Sequence, residues 1–444
     1  MPDPQLSARD PLRAESSIET TPRLASDPAS AGGPPAGGLA DPMPLAELVA
    51  ARATLGPISH LDLTSREVIP AHHDLGEEVA EQVHRHLRVK IAALEADRLS
   101  GEVRAARQCR AATLERVRSP SLDARIRSAL QTYLDSLAAW TEGARLDDFA
   151  RTELAGVAVD GAPLRGDDLA FVLQMETIGC QTGLLRTPEG SVILWHTEED
   201  RAQQGYSRFD RLRVVSFRWA GSSPPRVVTG FLYPDLLLGP AFGWSGDSYV
   251  QAVDSFYLDP ASHLAGVPAN AITWVCLLLA GERSTTEIAR QLAPSHNGYA
   301  LASARRHAGA VAAETTEFVD HAIVRTELAE QAGASHFQVN LLSSWGRLSV
   351  PGRERVEAGI EPTLQRRQIR ARRALNLVSQ QADGLASCAR LLASRVGGAA
   401  CNANPDVKAH FLCHLTAEGA SFWVGPGPAI RQGSLLADSW SPPK

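Results

Sequence analysis

Gly179-Cys-Gln-Thr-Gly-Leu-Leu-Arg-Thr-Pro-Glu-Gly190 is the stretch in which the sequence changes from a helical pattern to a strand pattern. The apolar run 169–175 before it has the length and composition of a short helix. Within the stretch, residues 182–186 favour a strand, and the Thr-Pro-Glu-Gly that follows is typical of a tight turn. The pattern of residues 191–196 favours a second strand. We therefore predict a hairpin whose first strand begins near Cys180, directly after a helix.

Helices and strands are grouped in the same way along the rest of the chain. From Asp74 to about Leu137, apolar or small residues recur three and four positions apart, which is the spacing of a buried helix face. Further strand pairs are predicted at 212–219 with 226–233, 241–244 with 249–257, 299–306 with 310–319 and 410–416 with 421–424. Three helices are also predicted. One covers 269–280, the second begins at the capping-box pattern Ser284-Thr-Thr-Glu287, and the third covers 353–395. This grouping predicts an α+β fold rather than alternating βαβ units.

Composition argues against several classes of protein. The 444 residues carry a net charge of −6, and this excess of acid argues against a nucleic-acid partner. The six cysteines include no Cys-x-x-Cys pair, so we expect neither a disulfide scaffold nor a metal site. Glycine-rich nucleotide motifs are absent, so no cofactor is expected. Without a signal-peptide pattern or a long apolar run, we expect a cytoplasmic protein with no membrane partner.

The N-terminal part of the chain differs in composition from the rest. Residues 31–38 read Ala-Gly-Gly-Pro-Pro-Ala-Gly-Gly, which can neither bury a core nor hold a helix. We therefore expect a disordered leader or linker over 1–55, a helical segment over 56–179, and a strand-rich segment over 180–444.

Gly179 and Cys180 together allow a self-cleavage reaction. Glycine reaches strained backbone angles and leaves its carbonyl open to a neighbouring thiol. The Cys180 thiol can attack the Gly179 carbonyl in an N-to-S acyl shift, after which water hydrolyses the thioester. The α-amino group set free titrates at about 7.7–8.0 and can act as the base for its own side chain. The competing interpretation is a small buried cysteine at the start of a strand.

The same stretch, continued to His196-Thr-Glu-Glu-Asp200, resembles the processing site of the isopenicillin N acyltransferase family of N-terminal-nucleophile hydrolases. It is most similar to the branch of β-alanyl-dopamine (carcinine) hydrolases, and segments 231–244, 249–254 and 410–428 resemble later parts of the family in the same order. The resemblance implies an αββα four-layer sandwich cut between Gly179 and Cys180. Residues 56–179 would be the pro- or α-chain segment, and 180–444 the β-chain with the nucleophile and a two-sheet core. The two fragments would remain partners after the cut.

The resemblance also assigns roles to single residues. Cys180 is expected to be the nucleophile, and Glu199, at the position of the family's aspartate, to support the terminal amine, with Asp200 as second candidate. Substrate contacts are expected from His196, Asp254, Asn340 and Arg366. The arginine would hold a substrate carboxylate with its forked, permanently charged head. The competing interpretations are a histidine bonded to backbone for His196 and an exposed basic helix face for Arg366.

Three residues depart from the family pattern. Gln181 stands where serine or threonine usually follows the cysteine, Asp254 where asparagine is usual, and Ala312 where the family tends to carry its oxyanion asparagine. Three hypotheses stay open. The chain is a self-processing cysteine amidohydrolase, an acyltransferase that passes the acyl group to an amine, or a non-catalytic relative that serves as a binding scaffold. The expected partner of the two enzymes is a small-molecule amide or acyl donor.

Overall fold

The computed structural model describes residues 57–176, 179–199, 211–256, 265–339, 384–393 and 406–427, together with Ala46, Val49, Ala50, Ala53 and Leu55. The chain divides into two units, Met1–Ala36 and Gly37–Lys444, and every described residue belongs to the second. The predicted leader over 1–55 lies outside the described residues apart from those five. So does the predicted helix over 353–395, except for 384–393.

Helices make up most of the described chain before Cys180. They are α1 (Val68–Ala93), α2 (Ala96–Arg118), α3 (Ala124–Gly143), α4 (Leu146–Glu153) and α5 (Gly166–Gln174). α1 buries Val79, Val83 and Leu87, as its apolar spacing predicts. The segment is not wholly helical, because β1 (Ser59–Glu67) precedes α1, and β2 (Ala158–Val159) pairs with β3 (Ala162–Pro163). β1 lies at a sheet edge and pairs on one side only, so it lacks the apolar alternation that marks a buried strand.

The remaining described elements form two sheets and three helices. The strands are β4 (Gly179–Arg186), β5 (Val192–Glu199), β6 (Arg213–Trp219), β7 (Arg226–Leu232), β8 (Phe242–Ser245), β9 (Tyr249–Ser255), β10 (Ser295–His307), β11 (Ala310–Asp320), β12 (Ala322–Glu327), β13 (Ser335–Val339), β14 (Val407–Leu415) and β15 (Ala420–Pro426). The helices are α6 (Ala269–Leu278), α7 (Thr285–Leu292) and α8 (Gly384–Leu392).

The two sheets differ in size and strand order. The eight-stranded sheet has the order β1-β6-β7-β8-β9-β10-β11-β12, and the five-stranded sheet has the order β13-β4-β5-β14-β15. β1 runs parallel to β6, and the other pairs in both sheets are antiparallel. All the strand pairs predicted after Cys180 are therefore confirmed. The predicted cap of α7 is also confirmed, since Ser284 Oγ accepts a hydrogen bond from the Glu287 amide.

Among the described residues, three large clusters of buried apolar residues hold these elements together. The first joins α1–α7 to one face of the eight-stranded sheet. The second fills the space between the two sheets, where the ring of Phe242 stacks on that of Phe411 at 4.4 Å and Trp244 stacks on Phe422 at 4.6 Å. The third packs α8 on the other face of the five-stranded sheet, around Trp195. The chain has the predicted α+β fold, and none of the described helices is long and apolar enough to cross a membrane.

Candidate active site

The turn between β4 and β5 sets the register of the hairpin that carries Cys180. The Thr187 amide donates to the Ser191 carbonyl at 2.9 Å, which closes a three-residue loop over 188–190. Gly190 ends this loop with a φ of 84°, a left-handed angle that glycine adopts without a steric penalty. Counting back from the loop, Cys180 lies opposite Glu198. Directly opposite residues of an antiparallel pair share a face of the sheet, so these two side chains point the same way.

A chain of hydrogen bonds links the side chains on this face. The Cys180 thiol donates to Glu198 Oε2 at 3.5 Å, and Glu198 Oε1 lies 2.7 Å from His196 Nε2. The second ring nitrogen of His196 lies 2.7 Å from the Thr182 hydroxyl. All four residues are buried, and the His196 ring meets Phe242 of the eight-stranded sheet edge-on at 5.8 Å. This chain of hydrogen bonds therefore lies between the two sheets.

Asp254 adds a second carboxylate to the same buried region. It lies on β9, which contacts β4 across the space between the sheets, and its side chain is fully buried. Its charge acts on both Cys180 and His196 and helps to raise both pKa values. The structure thus brings together three of the residues predicted from the sequence: Cys180, His196 and Asp254.

The charges around Cys180 keep its thiol protonated. Burial raises the pKa of Cys180 well above its ordinary value, and the carboxylates of Glu198, Asp254 and Glu199 raise it further. Burial also raises the pKa of Glu198. Burial alone would lower the pKa of His196, but the adjacent Glu198 raises it. A protonated thiol beside a carboxylate of raised pKa is suited to transfer its proton during attack rather than to exist as a free thiolate.

Glu199, the carboxylate predicted to support the nucleophile, lies opposite Gly179 and not opposite Cys180. Its Oε1 accepts a hydrogen bond of 2.6 Å from Gln181 Nε2. Because successive side chains of a strand alternate between faces, Glu199 and Gln181 project away from the face that carries the Cys180 thiol. The carboxylate in contact with the thiol is Glu198, which the sequence analysis missed. Counting residues from a three-residue loop would have identified it.

Asp200, Asn340 and Arg366 lie outside the described residues. Ala312, expected at the oxyanion position, is exposed on β11 opposite Arg305 and lines a surface cavity with Glu314. Its neighbours Val311 and Ala313 are buried between the two sheets, so Ala312 lies on the opposite face of β11.

Three groups of side chains among the described residues bring possible metal ligands within 4.8 Å of one another. One is Cys180 with His196 and Glu198, the second is His86 with Glu176 and Asp235, and the third is His73 with Asp74 and Glu77. Only the first is wholly buried, and its thiol, imidazole and carboxylate are a donor set that suits Zn²⁺. His84 and His86, two residues apart on α1, contact different partners, Ala144 and Glu176.

No protein-family model matches the chain, and no curated protein matches it.

Proposed function

We propose that the protein is a self-processing cysteine amidohydrolase of the N-terminal-nucleophile type, which cuts itself between Gly179 and Cys180. The observation that carries this proposal is the buried Cys180–Glu198–His196 hydrogen-bond chain at the point where helix gives way to strand. The order of layers also supports it. Helices cover the eight-stranded sheet, the five-stranded sheet faces it, and α8 covers the far side, which fits an αββα sandwich.

The self-cleavage step follows from the contacts of Cys180. Its thiol proton passes to Glu198 Oε2 while Sγ bonds to the carbonyl carbon of Gly179. The bond between the Gly179 carbonyl carbon and the Cys180 nitrogen then breaks, and the proton returns from Glu198 to that nitrogen as it leaves. Water hydrolyses the thioester and leaves a carboxylate on Gly179 and a free thiol on Cys180. Gly179 is partly exposed, so this water has a route to the carbonyl.

The cut prepares Cys180 for turnover. Its new α-amino group titrates at about 7.7–8.0 and takes the thiol proton when Sγ attacks a substrate amide. The substrate's acyl group becomes a thioester, its amine leaves, and water releases the acid. We expect a small N-acyl or aminoacyl amide. If an amine reaches the thioester before water, the same intermediate makes the protein an acyltransferase.

The burial of charge at the site favours an enzyme over a binding scaffold. Glu198, His196 and Asp254 are all fully buried. Removing ionisable groups from water costs several kcal/mol per ion, on the order of magnitude found for buried charges in proteins. A scaffold gains nothing from this cost, whereas a nucleophile needs a base within reach.

Intact mass and denaturing electrophoresis of the purified protein test the proposal. We expect fragments of 179 and 265 residues, which together make up the 444 residues of the chain. Cys180→Ala should stay full-length, because it lacks the attacking sulfur. Cys413→Ala is the matched control, since Cys413 is equally buried in the same cluster between the sheets and lies outside the hydrogen-bond chain. A wild-type chain that remains full-length contradicts the proposal.

A second measurement separates hydrolase from transferase. The cleaved protein is incubated with a panel of N-acyl and aminoacyl amides, with and without hydroxylamine, and the products are identified by mass. Free acid alone, even with the amine present, indicates a hydrolase. Hydroxamate formed in preference to acid indicates that the thioester is open to amines. No acyl product from a fully cleaved protein favours the scaffold.

A further inference from the structure

The chain leading to Gly179 is held in place before it reaches the site. α5 ends at Gln174, whose side chain is fully buried. Its Nε2 donates to the Asp235 carbonyl at 3.4 Å, and its Oε1 accepts from the Leu237 amide at 3.3 Å and from the side-chain amide of Asn270. These bonds fix the end of α5 against the loop after β7 and the start of α6.

The next two residues are held by their backbone carbonyls. The Met175 carbonyl accepts from Asn297 Nδ2 at 3.4 Å, and the Glu176 carbonyl accepts from the Tyr299 hydroxyl at 3.3 Å. Both donors are buried side chains of β10. Tyr299 also lies within electrostatic range of Cys180 and Glu198, so the hold on Glu176 adjoins the candidate active site.

The carboxylate of Glu176 is held separately by two side chains of α1. Lys90 Nζ lies 2.9 Å from Glu176 Oε1, and His86 Nε2 lies 3.2 Å from both carboxylate oxygens. The side chains of Glu176 and Lys90 are only 11% and 19% exposed, so water weakens their attraction little. Burial alone would lower the pKa of Lys90, but Glu176 and Glu102 raise it, and the lysine stays charged. We refer to Glu176, Lys90 and His86 as the Glu176 clamp.

The clamp limits where the Gly179 carbonyl can lie. Three residues span at most about 11 Å when fully extended, so a fixed Glu176 confines Gly179. On the other side, Cys180 is fixed by its pairing with Glu198 in β5. We propose that the Glu176 clamp is a positioning device for self-cleavage, which sets the orientation of the Gly179 carbonyl relative to Cys180 Sγ; this inference rests on the proposed function. Its residues position the reacting bond and do not touch the reacting atoms.

The test is the rate of self-cleavage in freshly synthesised protein, followed by denaturing electrophoresis and intact mass. Glu176→Gln keeps the shape of the side chain and removes its charge. We expect cleavage to slow by about 10- to 100-fold, the size of effect that a displacement of about 1 Å has on a positioned reaction. Lys90→Met should slow it similarly, and Lys90→Arg, which keeps the charge, should restore most of the rate.

Glu153→Gln is the matched control, because it also removes an ion pair to α1, with Arg88, but at an exposed position far along the chain from Gly179. It should cleave at the wild-type rate. Once cleaved, Glu176→Gln should react with iodoacetamide at Cys180 as fast as the wild type, and its circular-dichroism spectrum should be unchanged. A merely structural role would alter both.

The outcomes are distinguishable. A wild-type chain that cleaves, together with a folded Glu176→Gln that cleaves equally fast, overturns the positioning role and leaves the proposed function intact. A wild-type chain that never cleaves overturns the proposed function, and the positioning role with it. If Glu176→Gln does not fold, the two Lys90 variants decide, and equal rates in Lys90→Met and Lys90→Arg overturn the role.

Discussion

Two neighbouring glutamates on β5 have different relations to the thiol. Glu198 accepts the hydrogen bond of Cys180 and is itself paired with His196, whereas Glu199 is bonded to Gln181. A carboxylate that receives the proton in the transition state is worth about 10²–10⁴ in rate. Under the proposed function, these two adjacent residues of the same type should therefore contribute very differently to self-cleavage.

Glu198→Gln should slow self-cleavage by about 10²-fold or more, because the amide cannot accept the thiol proton as a base. The measurement is the half-time of fragment appearance after synthesis. Glu199→Gln is the control and should cleave at close to the wild-type rate. If Glu199→Gln slows cleavage more than Glu198→Gln does, the supporting carboxylate is Glu199, as the family resemblance implies.

His72, on α1 and outside the candidate site, gives the protein a pH-dependent stability. Its Nδ1 donates to the Val68 carbonyl at 2.6 Å, and its ring meets Phe217 and Trp274 edge-on. Burial lowers its pKa from 6.5 to about 4. Between these values the unfolded chain binds a proton that the native chain does not, so the stabilisation is complete above about pH 6.5 and is lost as the pH falls toward 4.

Urea unfolding at about pH 7 and about pH 5 measures this effect. For one group with these pKa values, the wild type should lose about 2 kcal/mol between the two conditions from His72 alone. His72→Phe keeps a packed ring without the titrating nitrogen, so its loss should be smaller by that amount. Equal losses in both proteins would show that His72 does not carry the dependence.

At the scale of elements, the β4–β5 hairpin has little tolerance for added volume. Gly183 lies opposite Trp195, and a Cβ at position 183 would come within 2.3 Å of the indole ring. The indole is fully buried and packs on Phe337 at 5.2 Å, so it has no room to withdraw. The strand that carries Cys180 therefore depends on a glycine that contributes space.

Gly183→Ala should destabilise the protein by about 1–3 kcal/mol, the usual range for overpacking a filled core. Chemical unfolding measures the loss. Gly419→Ala, in the turn between β14 and β15, is the control, because a Cβ there meets no atom within 4 Å. It should change the free energy of unfolding by no more than about 0.5 kcal/mol. Similar values for the two variants would contradict the steric argument.

Local patterns were sufficient for the hairpins and for most of the described helices, though not for α4 or for the contacts between elements. The spacing of apolar residues in α1 and the turn signal before Ser191 are properties of neighbouring residues, and the helix and the hairpin that they predict are both confirmed. β1 and β12 are edge strands with mixed exposure, so no alternation marked them. β13, also at an edge, was missed for the same reason.

A shift of one residue in the pairing of β4 with β5 decides which residue lies opposite Cys180. A turn over 187–190 places Arg186 opposite Ser191, whereas the structure pairs Arg186 with Val192. This shift moves the residue opposite Cys180 from Thr197 to Glu198, and with it the chemistry of the site. The approach of Asp254 depends on how two sheets pack, which no local pattern encodes.

At the scale of the whole molecule, the segment before Cys180 is built into the rest of the fold. β1 pairs with β6 along the edge of the eight-stranded sheet. Helices α1–α5 share one apolar cluster with α6, α7 and that sheet. Arg213 of β6 is bonded to Gln82 and Glu78 of α1 at 2.9 Å each. A cut at Gly179 removes one covalent bond and none of these contacts.

The two fragments should therefore stay together after self-cleavage. Gel filtration of the cleaved protein should give one species that contains both fragments in equal amounts, and about 1 M salt should not separate them, because apolar contacts are not screened. Concentrated guanidinium chloride should separate them. Loss of the N-terminal fragment in salt alone would contradict this prediction.

The place of β14 in the five-stranded sheet bears on when the protein can mature in the cell. β5 lies between β4 and β14, and Ala409 pairs directly with Glu198. Ribosomes add about 5–20 residues per second, so this neighbour emerges many seconds after Cys180 has been made. Under the proposed function, a nascent chain therefore contains its nucleophile long before β14, the strand that pairs with Glu198, has been made. Self-cleavage is then expected only after β14 has been synthesised, and a chain that terminates before β14 should remain uncleaved.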